Sequence, residues 1–265
     1  MKKNFLLGMG ITNASKQEIL EYILKNLEKH NEKYYVVTPN PEILVHANRH
    51  GSFKNVLNHA RITLCDGVGL FWAGKILGKP FKERVTGVDL MEDLCEKISD
   101  QPITVGFIGG KGDVAERASE CLVKKYPGLR VTFAFSGNPD EKTVERIKNE
   151  QEVKKQASTT QKTPKTTSDG IKEHQLIDIL FVAFGFPKQE EWVARYLDKL
   201  PVKVAICVGG ALDYISGKVV RAPGWVRSLG FEWLFRLIVQ PWRLKRQVSL
   251  FTFIFFVFRE KFSSG

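Results

Sequence analysis

Between Tyr34 and Leu212, hydrophobic and polar positions follow a repeating pattern. Short runs rich in β-branched and aromatic residues are each followed by a Gly, Pro or Asp turn and then by an amphipathic segment. This order is typical of stacked βα units and predicts an α/β fold with a mostly parallel sheet flanked by helices. The predicted strands are Tyr34–Thr38, Ile62–Cys65, Thr104–Ile108, Arg130–Phe135, Ile177–Ala183 and Val202–Val208. Helices are predicted after the start signals at Pro41, Gly87, Gly112, Asp140 and Pro187.

Three segments depart from this pattern. Residues 1–11 hold a short apolar stretch with two glycines, which we interpret as a first strand rather than a signal peptide. Residues 149–175 have almost no apolar side chains, so we expect a mobile, low-complexity surface insertion. From residue 221 onward basic and aromatic residues dominate, which divides the chain into a main domain, 1–220, and a C-terminal appendage, 221–265.

The appendage, 221–265, carries eight basic and two acidic residues, a net charge of +6. Its apolar run Leu250–Phe258 is far shorter than the ~20 residues that a helix needs to cross a bilayer. A basic, aromatic helical segment is typical of one that lies on an anionic membrane surface. A helical hairpin packed on the core is the alternative. Exposed aromatic residues would also suit a homo-oligomer interface.

Composition narrows the class of partner. The 265 residues, 43% of them apolar, are sufficient for a sizeable buried core. A formal net charge of +11 favours a negatively charged partner such as a phosphorylated substrate or anionic lipid. The chain contains no recognisable base-reading or base-stacking module, so nucleic acid is not an expected partner. Four scattered cysteines without a Cys-x-x-Cys pair are typical of a reducing cytoplasm.

Asp66 is the first residue of chemical interest. It directly follows a predicted strand and precedes Gly67 and Gly69. An aspartate before glycine is common in turns. A carboxylate at the end of a strand is also well placed to act as a base, because the glycines behind it leave room for a substrate. The local sequence alone favours the turn.

A glycine-rich turn follows the predicted strand Thr104–Ile108. The pattern Gly110-x-Gly112-x-x-Ala115 is typical of a turn that binds phosphate at a helix N-terminus. A nicotinamide site would need an acid at the end of the next strand, and Arg130–Phe135 ends without one. A nucleotide that departs as a leaving group therefore fits better than a hydride carrier, which makes a dinucleotide-dependent oxidoreductase the weaker alternative. A purely structural tight turn also remains open.

Three more polar residues are expected at the edge where the parallel strands end, because ligands bind there in such folds. Thr38 and Asn40 follow the strand that begins at Tyr34, and Gln189 lies in the first turn of the helix after Pro187. Asn40 before Pro41 is also the usual sequence of a helix cap.

Six motifs in order resemble the WecG/TagA/CpsF family of bacterial glycosyltransferases. They are Thr38-Pro-Asn-Pro41, Cys65-Asp-Gly-Val-Gly69, Glu83-Arg-Val-Thr-Gly-Val-Asp-Leu90, Gly109-Gly-Lys-Gly112, Gly185-Phe-Pro-Lys-Gln-Glu190 and Arg221-Ala-Pro223. The tail, Glu232–Arg236 with Pro241–Leu244, is similar to the C-terminal appendage of that family. The resemblance extends from about residue 5 to about residue 247, and the Phe-rich end after Gln247 has no clear counterpart.

The resemblance implies a Rossmann-like domain that moves a sugar from a UDP-sugar to a polyprenyl-diphosphate-linked sugar, with inversion. The expected location is peripheral, on the cytoplasmic face of the plasma membrane, in the synthesis of teichoic acid or another surface polysaccharide. N-acetylmannosamine transferred to N-acetylglucosamine-diphospho-undecaprenol is the expected reaction. The uronic acid of this sugar or a hexose is the alternative donor.

The same resemblance implies roles for individual residues. We expect Asp66 to be the general base that takes the proton of the acceptor hydroxyl. The residues expected to bind the donor are Thr38, Asn40, Arg84, Gly110, Gly112 and Gln189. Those expected to meet the acceptor diphosphate or lipid headgroups are Arg221, Arg227 and Arg236.

The chain contains no Asp-x-Asp triplet, whose paired carboxylates hold Mg²⁺ or Mn²⁺ beside phosphates in many nucleotide-sugar transferases. We therefore predict an enzyme that needs neither metal nor cofactor. A non-catalytic, nucleotide-binding protein of the membrane surface is the remaining alternative, and release of UDP distinguishes the two.

Overall fold

The computed structural model describes residues 1–28, 32–160 and 177–263. Its strands are β1 Lys3–Leu6, β2 Met9–Thr12, β3 Tyr34–Val37, β4 Ile62–Thr63, β5 Thr104–Gly109, β6 Arg130–Phe135, β7 Ile177–Ala183 and β8 Val202–Cys207. Strands β3 to β8 form one six-stranded sheet in the order β4-β3-β8-β7-β5-β6, and every adjacent pair is parallel. The predicted α/β fold is therefore confirmed.

Helices cover both faces of this sheet. They are α1 Lys16–Glu28, α2 Pro41–Arg49, α3 Gly51–His59, α4 Val68–Ile76, α5 Gly87–Ile98, α6 Val114–Lys125, α7 Glu141–Thr160, α8 Lys188–Tyr196, α9 Ala211–Ile215, α10 Gly224–Ser228, α11 Glu232–Val239 and α12 Leu244–Ser263. Helices α1, α5, α6 and α9 share one buried apolar cluster, and α2, α3, α4, α8 and α12 share the other.

The central strand β7 is apolar at every position but Asp178. Ile179 and Phe181 belong to one buried cluster, whereas Leu180 and Val182 belong to the other. The ring of Phe181 stacks on that of Phe107 in β5, with centroids 5.4 Å apart. A parallel strand covered by helices on both sides buries both sets of side chains, so alternation with polar residues disappears.

The N-terminal prediction of a first strand is confirmed by β1, Lys3–Leu6. This strand does not join the main sheet, since β1 and β2 pair with each other in a separate antiparallel hairpin. Leu7 and Gly8 form its turn with φ of +53° and +74°. Two-residue hairpin turns with positive φ match the twist of the flanking strands, and glycine adopts this conformation without steric cost.

The segment predicted as an insertion begins in a helix. Helix α7 continues to Thr160, so positions 149–160 are helical rather than an unstructured loop. Glu, Lys and Gln are strong helix formers, which explains a helix with little apolar surface. Arg146 and Glu150 form an exposed ion pair one turn apart, at 3.0 Å. The rest of the predicted insertion, 161–175, lies outside the described residues.

The last helix packs on the main domain. Phe253 and Val257 of α12 are each 2% exposed and belong to the same apolar cluster as α2 and α4. Glu260 accepts a hydrogen bond from the backbone N of Leu7 at 2.6 Å and lies 3.1 Å from Nζ of Lys79. Among the described helices, none combines the length and apolar character needed to cross a membrane.

Candidate functional site

The loops after the parallel strands bring most of the candidate residues to one edge of the sheet, called here the carboxyl edge. The loops after β3, β4, β5 and β7 carry, in turn, Thr38 and Asn40, then Asp66, then Gly110 and Gly112, and then Gln189 as α8 begins. Gly87 begins α5 at the same edge, where an added Cβ would lie 3.1 Å from Cγ2 of Thr38 and 3.4 Å from Cα of Val208. Ligands of parallel α/β sheets bind at this edge.

Asp66 lies just beyond β4 and is partly buried. The backbone N of Gly87 donates a hydrogen bond to its Oδ2 at 3.5 Å. Burial raises the pKa of Asp66 to about 7, opposed by the Gly87 N–H and by Arg84 and reinforced by the charge of Glu232. A carboxyl group with a pKa near neutrality is poised to accept a proton from a substrate hydroxyl.

Arg84 connects this edge to the appendage. Its Nη2 donates a hydrogen bond to the backbone O of Arg227 at 2.8 Å. The guanidinium is close enough to Asp66 and Cys65 to oppose part of the rise that burial causes in the pKa of each group. A positive charge therefore lies beside the candidate base, held in place by the chain of α10.

Thr38 and Asn40 both make contacts within the protein. The Thr38 hydroxyl donates to the backbone O of Cys207 at 3.0 Å, linking the ends of β3 and β8. Oδ1 of Asn40 accepts from the backbone N of Ile43 at 3.1 Å and caps α2. The helix-cap interpretation of Asn40 is confirmed, whereas donor binding by either residue stays a prediction.

The glycine turn after β5 packs tightly on β7. The N–H of Gly110 donates to the backbone O of Ala183 at 3.0 Å, so it does not face a ligand. A Cβ on Gly109 would approach the carbonyl carbon of Ala183 to 2.5 Å. Gly112, with φ of +74°, has open space where a Cβ would be. The structural interpretation therefore accounts for Gly110, and phosphate binding at this turn stays a prediction.

Gln189 is 1% exposed and joins two loops of the carboxyl edge. Its Oε1 accepts from the backbone N of Gly185 at 3.3 Å and from that of Gly209 at 3.2 Å. Its Nε2 donates to Oε1 of Glu190 at 2.8 Å. Sequence reasoning placed Gln189 at the right edge but missed Glu190, although both belong to the same Lys-Gln-Glu sequence of one motif.

Arg221 lies in an ion-pair cluster. Its guanidinium is 2.7 Å from Asp89, 3.2 Å from Glu232 and 3.5 Å from Glu92, and its side chain is 16% exposed. This cluster joins the start of the appendage to α5 and α11. Sequence reasoning missed this cluster because Asp89 and Glu92 lie far from Arg221 along the chain, Asp89 by 132 positions.

The other two candidate arginines lie in different surroundings. Nη1 of Arg227 is 3.4 Å from Oδ1 of Asp89. The guanidinium of Arg236 lies over the ring of Tyr214, 4.9 Å from its centroid. A Cβ added to Gly210 would lie 2.7 Å from Nη2 of Arg236. Arg236 therefore reaches from α11 to the carboxyl edge beyond β8, whereas Arg221 and Arg227 meet at α5.

Two other features of the structure concern possible ligands. Among the described residues, no group of three or more His, Cys, Asp or Glu side chains could bind a metal ion. Metal independence nevertheless stays a prediction. A groove of about 390 Å³ lies at the opposite end of β3, beside Tyr35 and His59, and none of the candidate residues lines it. We place the site at the carboxyl edge because the candidate base and cations converge there.

Comparison with known proteins gives consistent matches. The model of the glycosyl transferase WecG/TagA/CpsF family matches residues 4–265. The match therefore includes the Phe-rich end after Gln247, which corrects the expectation that this end has no family counterpart. It also disfavours the oxidoreductase alternative.

Three relatives share the name N-acetylglucosaminyldiphosphoundecaprenol N-acetyl-beta-D-mannosaminyltransferase. The protein of Bacillus spizizenii is 30% identical over 235 residues, covering 89% of this chain and 82% of the relative. That of Bacillus subtilis is 26% identical, covering 98% and 93%. That of Staphylococcus aureus strain MRSA252 is 30% identical, covering 97% and 92%.

Proposed function

The chain belongs to the WecG/TagA/CpsF family of glycosyltransferases, and we propose that it transfers N-acetylmannosamine from a UDP-sugar to N-acetylglucosamine on undecaprenyl diphosphate. The observation that carries this proposal is Asp66, a partly buried carboxyl group with a pKa of about 7 at the carboxyl edge. The names of the relatives support the acceptor and the transferred sugar.

In the proposed reaction, Asp66 acts as the general base. Its carboxylate accepts the proton of the acceptor hydroxyl while that oxygen forms a bond to the anomeric carbon of the donor. The bond from the anomeric carbon to the diphosphate oxygen breaks, and UDP leaves from the opposite face. Attack opposite the leaving group inverts the anomeric configuration. General-base catalysis of this kind contributes about 10²- to 10⁴-fold in rate.

The departing UDP carries negative charge that the site must stabilise. Arg84 lies beside Asp66 and Arg236 lies beside Gly210, so both guanidinium groups are at the carboxyl edge. Arg236, which the family resemblance assigns to the acceptor diphosphate or lipid headgroups, is therefore proposed for the donor instead. Fixed cations stabilise a developing diphosphate without reorganising when the bond breaks. The backbone O of Arg227 orients the Arg84 side chain, and the Tyr214 ring orients that of Arg236.

The appendage is proposed to hold the enzyme at the membrane where the acceptor resides. It exposes large apolar side chains on α10, α11 and α12, beside its basic residues. The most exposed are Trp225, Leu229, Ile238, Trp242, Leu244, Val248, Phe251, Phe255 and Phe262. Aromatic residues near basic side chains are typical of segments that lie in the interface of an anionic bilayer. Because Arg84 contacts the backbone of α10, membrane contact and catalysis share one structural unit.

The experiment that tests this proposal is a donor panel. The protein is incubated with lipid-linked N-acetylglucosamine and with UDP-N-acetylmannosamine, its uronic acid form or a UDP-hexose, with and without a chelator. We expect UDP release and a disaccharide lipid with the first donor, unchanged by the chelator. Turnover of a different donor would replace the sugar assignment. Vesicle binding without turnover of any donor would support the non-catalytic alternative.

A further inference from the structure

Glu190 is a buried carboxyl group without a role in the proposed reaction. It is 0% exposed and lies in the first turn of α8. Its Oε1 accepts a hydrogen bond from Nε2 of Gln189 at 2.8 Å. Its Oε2 is also buried and has no hydrogen-bond partner among the described residues. Burying a carboxyl group with one oxygen unsatisfied costs stability, which a glutamine or leucine at this position would avoid in part.

The contact with Gln189 places Glu190 behind the carboxyl edge. Oε1 of Gln189 accepts from the N–H groups of Gly185 and Gly209, which belong to the loops after β7 and β8. One carboxamide thus sets the separation of two adjacent loops. The next residue after Gly209 is Gly210, against which the Arg236 guanidinium lies.

The carboxamide works only in one orientation. If the Gln189 amide turned over, its NH₂ group would face the two N–H donors of Gly185 and Gly209, and three donors would meet without an acceptor. Glu190 offers only acceptor oxygens when it is ionised, so it selects the orientation that directs Nε2 toward itself. Hydrogen bonds to a charged acceptor are about twice as strong as those between neutral groups.

We infer that Glu190 is a positioning residue for the donor site, acting through Gln189 on the loops at Gly185 and Gly209. This inference rests on the proposed function, because it assumes that these loops receive the UDP part of the donor. Burial raises the pKa of Glu190 to about 7. Glu190→Gln keeps the shape of this side chain without its charge, so we expect the variant to fold.

The test is the affinity for UDP, measured by calorimetry on the full chain at pH 8, where Glu190 is mostly ionised. Glu190→Gln offers its own NH₂ group as well as an oxygen, so the orientation of Gln189 is no longer selected. We expect the Kd for UDP to rise about threefold to tenfold, with a melting temperature equal to or above that of the wild type. Glu190→Met, whose thioether is only a weak acceptor, should raise the Kd further. Glu191→Gln, an exposed neighbour, is the matched control and should leave it unchanged.

A double-mutant cycle separates positioning from simple packing. In a Gln189→Met background, Glu190→Gln should add nothing to the loss, because the group through which it acts is gone. Equal Kd values for wild type and Glu190→Gln would overturn the inference, as would fully additive losses in the cycle. Failure of the wild type to bind UDP would instead contradict the proposed function, so the two failures are distinguishable.

Discussion

Replacing Asp66 by asparagine tests whether this carboxyl group is held at a cost to the fold. Burial raises the pKa of Asp66 from 3.8 to about 7. The folded chain therefore holds a proton on Asp66 that the unfolded chain has already lost between about pH 4 and pH 7. Stability falls as the pH rises through this window and is level above it. The penalty at pH 8 is on the order of 4 kcal/mol, at about 1.4 kcal/mol for each pH unit.

Asparagine removes the ionisation but still buries a polar amide, which reduces the gain. We expect the Asp66→Asn protein at pH 8 to exceed the wild type by about 1 to 3 kcal/mol in free energy of unfolding, measured by urea denaturation. The advantage should shrink by about 2.5 kcal/mol at pH 5. Glu190 titrates in the same window in both proteins, so its contribution cancels.

Asp140 supplies a matched control. Its Oδ1 accepts a hydrogen bond from the backbone N of Thr143 at 2.9 Å, as expected of a turn aspartate. Asparagine caps helices as well as aspartate does, so Asp140→Asn should change the free energy of unfolding by less than about 0.5 kcal/mol. An Asp66→Asn protein that is equal to or less stable than the wild type at pH 8 would refute the reasoning. Asp66 would then be an ordinary turn former.

Three further results are expected from other parts of the molecule. Arg221→Ala, which leaves Asp89 without its closest ion-pair partner, should destabilise the protein by roughly 1 to 3 kcal/mol in thermal unfolding. The control Lys82→Ala, which removes an exposed ion pair with Glu18, should cost less than about 0.5 kcal/mol, and equal effects would contradict the cluster's role. Gly109→Ala should lower stability by roughly 2 kcal/mol or more, because φ is +101° and a Cβ would meet β7. Three exposed aromatic residues of α12 are Phe251, Phe255 and Phe262. Replacing all three by serine should weaken cosedimentation with anionic vesicles about tenfold or more, while the Kd for UDP stays unchanged. Unaltered cosedimentation would show that α12 does not contact the membrane.

The sheet could be predicted from sequence because its signal is local. Strand β7 is apolar at every position but Asp178, and its predicted bounds match the structure. Helix α1 was missed although a signal exists: Ser15 and Glu18 form a capping box in which each side chain bonds the other's backbone N. The hairpin of β1 and β2 was missed because its turn begins with Leu7, a residue that rarely adopts positive φ.

The candidate site was only partly predictable. Asp66 and Gln189 were placed at the carboxyl edge because parallel strands all end there. Their surroundings could not be foreseen, since the pKa of Asp66 depends on burial by segments distant in sequence, including Glu232 of the appendage. Likewise, the sequence gives no indication that Arg221 is paired with acids while Arg236 reaches Gly210. Such pairings depend on tertiary packing rather than on local pattern.

The most direct test of the account is the single-turnover rate of disaccharide-lipid formation by wild type and Asp66→Asn, at saturating donor and between pH 6 and pH 9. The account predicts a wild-type rate that is half-maximal near pH 7 and reaches a plateau above about pH 8, following ionisation of Asp66. It predicts a variant about 10²- to 10⁴-fold slower on the plateau, with an unchanged Kd for UDP. A variant as fast as the wild type would contradict the assignment of Asp66 as the base.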